Sequence, residues 1–315
     1  MVFLDAEPAV NIRQRCMNAI RDILNQSGRL LLKNLKFLWL FWGTNLVFSV
    51  IMSLPLFYIL NSQLMHSGYS GKLMFGFDYL WYLQFRELYS HNIAVIPYTI
   101  YGVVGLYVLI QIFFLGGLIS VINIPKKNHY VDFFYGGVKY WYRFTKVLFI
   151  GLLFYAAAFL FNDYLGQLLT YAFQEQEQRI FEFILRASRY VLLIFLIGTV
   201  SLVSDYIKVS MALKDSNNLF REILFVLSFL KKHFNKVFTV FFIVAVIGAF
   251  GAIVYNVLNN FLPKSNYFYF IVAFVLQQML IIFRLFIRML FSSTETVLFK
   301  DINAQIIPVG AEEVD

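Results

Sequence analysis

The chain has 315 residues, 60% of them hydrophobic and only 14% charged, with 37 Phe and 20 Tyr and a formal charge of +8. An ordinary soluble domain is roughly one-quarter charged, so a water-solvated globule is excluded and lipid is the expected solvent. The basic excess does not call for nucleic acid, because the Lys and Arg residues sit in short segments between apolar runs, where membrane topology alone places them.

Residues 1–36 carry Arg13, Arg15, Arg21, Arg29, Lys33 and Lys36, and no short apolar stretch ending in a cleavage site, so a signal peptide is not expected. Ile12, Cys16, Ile20 and Ile23 share one helical stripe, with Arg13, Arg21 and Asp22 elsewhere, which predicts an amphipathic, cytoplasmic N-terminal segment. Cys16 is the only cysteine, so no intramolecular disulfide is expected.

A membrane crossing needs roughly 20 apolar residues. Six runs supply them: 37–60, 93–122, 147–169, 190–213, 237–258 and 267–291. The expectation is an all-α integral membrane protein with a six-helix domain over 37–291 and a cytoplasmic tail over 292–315. Lys126, Lys127, Lys139, Arg143 and Lys146 separate the second and third runs, and Lys208, Lys214, Arg221, Lys231, Lys232 and Lys236 surround the connection of the fourth and fifth. The other connections hold only Lys72 and Arg86, then Arg179, Arg186 and Arg189, then Lys264. This bias predicts both termini inside. The 77–89 and 174–188 stretches look helical and too small for an outer domain.

Two inner connections, 132–145 and 218–236, mix apolar and basic residues and are predicted to be separate interfacial helices. In the second, Phe220, Leu224, Leu227, Leu230 and Phe234 recur at helical spacing, with Arg221, Lys231, Lys232 and Lys236 on the polar side. Such helices can lie on an anionic inner leaflet, so membrane lipids are the expected partners. A protein partner or a second copy of the chain is the alternative. Aligning Lys36, Lys146 and Lys236 suggests three diverged helical hairpins, each preceded by an amphipathic helix. The competing explanation is that any inward-anchored helix begins with a basic residue.

Charges within a span are costly, about 2.5–3.5 kcal/mol at mid-bilayer on insertion scales. Asp205 and Lys208 on the fourth run, and Arg284 and Arg288 on the sixth, each lie on one helical face. They are candidates either for an anionic-headgroup or proton-coupled site, or for a structural ion pair with snorkelling ends. Asn45, Gln111, Ser201, Gln277 and Gln278 are intramembrane polar candidates that either line a cavity or bridge helices. Pro55, Gly102, Gly105, Gly116 and Gly117, with Gly248 and Gly251, either soften helices or let them pack closely.

No nucleophile elbow, His-Glu-x-x-His motif or phosphate-binding loop is present. The histidines His66, His91, His129 and His233 are not at metal-ligand spacing, so no catalytic residue, metal or cofactor is assigned. A lipid-modifying enzyme would have to draw on Asp205, His233 and Glu295. Glu175, Glu177, Arg179 and Glu182 read as a solvated face.

The stretch Asp205-Tyr-Ile-Lys-Val, Asp215 and the 220–234 segment, with Thr296-Val-Leu-Phe-Lys-Asp301 and 77–88, resembles a broad group of bacterial six-helix membrane proteins. That group is similar to the membrane domain attached to some glycerophosphodiester phosphodiesterases. The resemblance implies a six-helix bundle in a bacterial cytoplasmic membrane and implies no activity, since the catalytic domain of those enzymes has no counterpart here. The expected function is binding or moving a lipid-like or hydrophobic solute, or supporting a membrane complex; the alternative is a lipid-modifying enzyme.

Overall fold

The computed structural model describes residues 7–64, 78–123, 130–173, 179–262 and 267–304, with the side chains of 7–19, 63, 64, 91–97, 99, 179, 267 and 304 outside that description. His66, Lys72, Lys126, Lys127, His129, Glu175, Glu177 and Lys264, and the side chains of Ile12, Arg13, Arg15, Cys16, His91 and Arg179, therefore lie outside the described set.

Among the described residues every element is a helix: α1 Glu7–Lys33, α2 Lys36–Leu64, α3 Tyr79–Leu88, α4 Ser90–Asn123, α5 Tyr130–Ala172, α6 Arg179–Leu213, α7 Leu219–Phe261 and α8 Tyr267–Ala304. Six of these contain a stretch long and apolar enough to cross a membrane: Lys36–Ser62, Ile100–Asn123, Tyr130–Ala172, Ile180–Leu213, Leu219–Phe261 and Phe268–Asn303. Large apolar side chains such as Phe57, Leu153, Phe195 and Phe250 are exposed along them. In water such a surface would be an aggregation patch, whereas hydrocarbon solvates it and helices satisfy their own backbone polar groups. Six such helices among the described residues are compatible with a polytopic membrane protein.

The inner amphipathic segments depart from expectation. Only α1 is separated from its following span, by the turn at Asn34 and Leu35. The 132–145 segment runs into α5 without a break, and 218–236 into α7 with one bend at His233, where φ and ψ are −117° and 22°. Neither junction contains a proline or a capping glycine to stop the helix. At about 1.5 Å per residue, the 43 residues of α5 or α7 measure roughly 64 Å, about twice the hydrocarbon thickness. The segment after residue 291, expected as a tail, is helical to Ala304, and Leu298, Phe299 and Ile302 are fully buried.

The chain divides into two compact units. Unit 1 contains α1 to Leu30, α4 from Leu115, α5, α6, α7 to Phe242 and α8 from Phe291; unit 2 contains α2, α3, the rest of α4, and the Ile243–Leu290 stretch. In unit 1 the α4–α5 crossing is set by glycines. A Cβ on Gly117 would collide with the carbonyl of Phe133, and one on Gly136 with Ser120. Close packing, rather than softening, explains Gly116 and Gly117, while Gly102 and Gly105 have nothing near their missing Cβ atoms.

In unit 2, Phe41 packs edge-on against Phe114 at 5.4 Å, Phe48 on Tyr107 at 5.5 Å, and Gly251 admits Phe283. Helix α3 begins at Asp78, whose Oδ1 accepts from the backbone N–H groups of Leu80 at 3.0 Å and Trp81 at 3.1 Å. This carboxylate satisfies donors the helix cannot satisfy itself.

Candidate functional site: a clamped basic end beside an apolar cleft

The end of α6 is where the charges of unit 1 gather. Asp215 follows the last turn with φ of +52°, a left-handed conformation that Asp tolerates better than most residues. Its carboxylate accepts from Lys139 Nζ at 2.9 Å and Arg143 Nη1 at 2.6 Å, both on α5. One helical turn holds both cations, and between them Tyr140 donates to the carbonyl of Ala212 at 3.1 Å. The hydrogen bond from Lys139, then that from Arg143, holds the Asp215 carboxyl below its usual range. Two cations share one carboxylate, so the clamp keeps a net positive charge.

A second constellation lies one turn earlier. Ser210, fully buried, donates to Glu222 Oε2 at 2.6 Å, and Lys214 Nζ stands 3.6 Å from the same oxygen. Lys214 also sits over the ring of Phe225, 2.9 Å from its centroid. Burial pushes the Lys214 ammonium below its ordinary value, against the opposing pull of Glu222. Glu222 is only 4% exposed and faces the protein from the first turn of α7, where an acid also suits the helix dipole.

The apolar stripe of α7 is divided between two faces. Val226, Phe229 and Leu230 are buried with Glu222, whereas Phe220, Leu224, Leu227 and Phe234 are exposed. His233 lies against Phe229, their ring centroids 5.3 Å apart.

Asp205 and Lys208 form an ion pair at 2.7 Å within one turn of α6. Their near neighbour is Glu295 of α8, 5% exposed and with an Oε1 that has no hydrogen-bond partner among the described residues. Glu295 belongs to a buried run, Ser292 to Thr296, in which Ser293 donates to the carbonyl of Ser27 on α1 at 3.1 Å. Farther along, Lys300 donates to the carbonyl of Asn123, the last residue of α4, at 2.7 Å. A lysine on a helix C-terminus satisfies an orphan carbonyl and opposes the dipole. The sequence gives one signal of this extension: no glycine or proline interrupts α8 between residues 267 and 304.

Between α5, α6 and the start of α7 lies a cleft of about 220 Å³, walled by Val147, Gly151, Phe154, Val203, Ile207 and Ile223, with Ser204 and Thr199 as its polar groups. Val147 is one turn from Arg143, and Ser204 adjoins Asp205. The cleft therefore begins at the level of the clamp and extends away from it along α5.

Of the other expected positions, Arg284 lies in unit 2 and Asp205 in unit 1. Arg284 and Arg288 are both exposed. Arg288 donates to Gln111 Oε1 at 3.3 Å, and Gln111 Nε2 to Thr44 at 3.4 Å, so these polar groups bridge helices. Gln278 accepts from the Trp42 indole at 3.1 Å, Asn45 is half-buried, and Gln277 is exposed. Among the described residues no cluster of three His, Cys, Asp or Glu could hold a metal. No family model, no curated protein and no solved structure matches this chain.

Proposed function

We propose that this multi-pass protein, set in a bacterial cytoplasmic membrane with both termini inside, binds or moves an anionic, lipid-like amphiphile at the basic end of α5 and α6. One observation carries the reading: an almost wholly apolar cleft starts one helical turn from a clamp in which, among the described residues, Lys139 and Arg143 share Asp215 as their one carboxylate. An acyl chain fits the cleft, and an anionic headgroup is drawn to the uncompensated cation, where guanidinium and phosphate match in geometry.

The exposed apolar residues at the start of α5 and α7, including Phe134, Tyr135, Trp141, Phe220 and Leu224, support placing these segments in the headgroup region of the inner leaflet. The same lipid setting suits the resemblance, read from the sequence alone, to the membrane domains of some glycerophosphodiester phosphodiesterases. A lipid-modifying activity is the second reading, and the proximity of Asp205 and Glu295 favours it. Replacing both with the amides and finding every lipid class unchanged in a deletion strain would end that reading.

The binding proposal is tested by native mass spectrometry of protein released from nanodiscs of mixed phosphatidylglycerol and phosphatidylcholine. Wild type should retain phosphatidylglycerol in preference. Val203→Trp, which fills the cleft, should lose retained lipid of both kinds, and Arg143→Gln should lose the preference. Equal retention of both lipids by all three proteins would overturn it.

A further inference from the structure

At the end of the α5–α6 pair remote from Asp215, the two helices form a second, widely open pocket of about 500 Å³, within the size range of small-molecule sites. Asp163, Gln167 and Thr170 of α5 line it, with Arg186 and Arg189 of α6. Its charges are not equivalent. Arg186 pairs with Glu182 at 2.6 Å, so its charge is already met.

Arg189 has no carboxylate within ion-pair distance among the described residues. Its guanidinium donates to the Tyr190 hydroxyl at 2.9 Å and lies over that ring, 4.7 Å from the centroid. Its Nε is buried without a hydrogen-bond partner among the described residues. That Nε is closed to solvent, so an anion entering the pocket would meet the Nη groups of the guanidinium, which stand on the wall beside Gly166. Gly166 makes the placement possible, because a Cβ there would collide with Arg189 Nη1.

Asp163, exposed on the same wall, has no cation within ion-pair distance among the described residues either. One open pocket therefore presents a guanidinium and a carboxylate that are not within ion-pair distance of each other. Thr170 spends its proton on the carbonyl of Gly166, so towards the cavity it can only accept.

The geometry points to a site for an ammonium–phosphate zwitterion of the phosphoethanolamine type, with the phosphate on Arg189 and the ammonium on Asp163. Either a lipid headgroup or a free solute carries that chemistry. The site is independent of the cleft at the basic end, and its failure would leave the anionic-lipid reading untouched.

The test is calorimetric titration of the full chain in neutral detergent with O-phosphoethanolamine, ethanolamine and inorganic phosphate, followed by competition in nanodiscs containing phosphatidylethanolamine. The zwitterion should bind about tenfold or more tighter than either half, as one additional charge-assisted bond allows. Asp163→Asn should reduce it to the level of phosphate, and Arg189→Gln to the level of ethanolamine. Binding of free phosphoethanolamine that the lipid does not block identifies a solute site; binding that the lipid abolishes identifies a headgroup site. The proposal is overturned if the zwitterion binds no better than its halves, or if Asp163→Asn leaves its advantage intact. Asp163 is exposed, so that variant decides the matter even where Arg189→Gln does not fold.

Discussion

Asp215 performs two tasks that substitutions can separate. Asn also tolerates a left-handed backbone, so Asp215→Asn should keep the turn and lose only the pairing with Lys139 and Arg143, lowering stability by a few tenths to about 1 kcal/mol for a half-exposed pair. Asp215→Ala should cost more, because it adds backbone strain, and thermal melts of the two variants against wild type would rank them. The pH dependence follows from the same carboxyl. Its folded-state pKa is depressed, so the clamp contributes fully above the ordinary value of 3.8 and is lost as pH falls through the lower folded value. Hydrogen exchange at 214–218, corrected for intrinsic rate, should accelerate in that acid window in wild type and be pH-insensitive in Asp215→Asn. Lys214 contributes a slope of the same sign in a separate, alkaline window, because there too the unfolded state binds more protons. Its lowered folded-state value is a penalty that fades as pH rises towards 10.5. Glu222 is the more sensitive position: Glu222→Ala leaves the buried Ser210 hydroxyl unmet, at about 1–3 kcal/mol, readable as a lower midpoint in SDS unfolding.

At the scale of elements, the α4–α5 crossing and the terminal turns of α8 hold unit 1 together. Gly117→Ala places a methyl against the Phe133 carbonyl, which cannot rotate away, so a loss of about 1–3 kcal/mol is expected. Gly102→Ala, on the same helix but with open space around it, should be neutral or slightly stabilising. Comparing the two in the same unfolding assay separates packing from helix propensity. The end of α8 is equally specific. Truncation after Phe291 would remove the buried Leu298, Phe299 and Ile302, each worth about 1.5–3 kcal/mol in burial, along with the Lys300 cap on α4. Such a chain should lose the folded basic end, seen as loss of protease resistance over α1.

At the scale of the molecule, the two ends of the α5–α6 pair differ in chemistry. The basic end combines an apolar cleft with a net positive clamp, as suits an anionic amphiphile, while the far end offers separated charges of both signs. Retention of phosphatidylglycerol at one end and of a zwitterion at the other should respond to different substitutions, Val203→Trp for the first and Asp163→Asn for the second. Cross-effects would show that the ends are energetically linked.

Much of this was legible in the sequence. Six long apolar runs fix helices of membrane-spanning length because hydrocarbon leaves backbone groups no other partner, whereas the stripe Phe220, Leu224, Leu227, Leu230 and Phe234 on α7 divides, with Leu230 buried and the other four exposed. Tertiary structure alone decided which charges meet: Asp215 with Lys139 and Arg143, Glu222 with Ser210 and Lys214, and Glu295 beside Asp205. It also decided that residues 292–302 are a buried helix rather than a tail, and that Gly117 is a contact rather than a hinge. The reason is physical. Helix formation depends on neighbours three and four residues away, which the sequence states, whereas ion pairs and glycine contacts depend on how helices far apart in the chain are brought together.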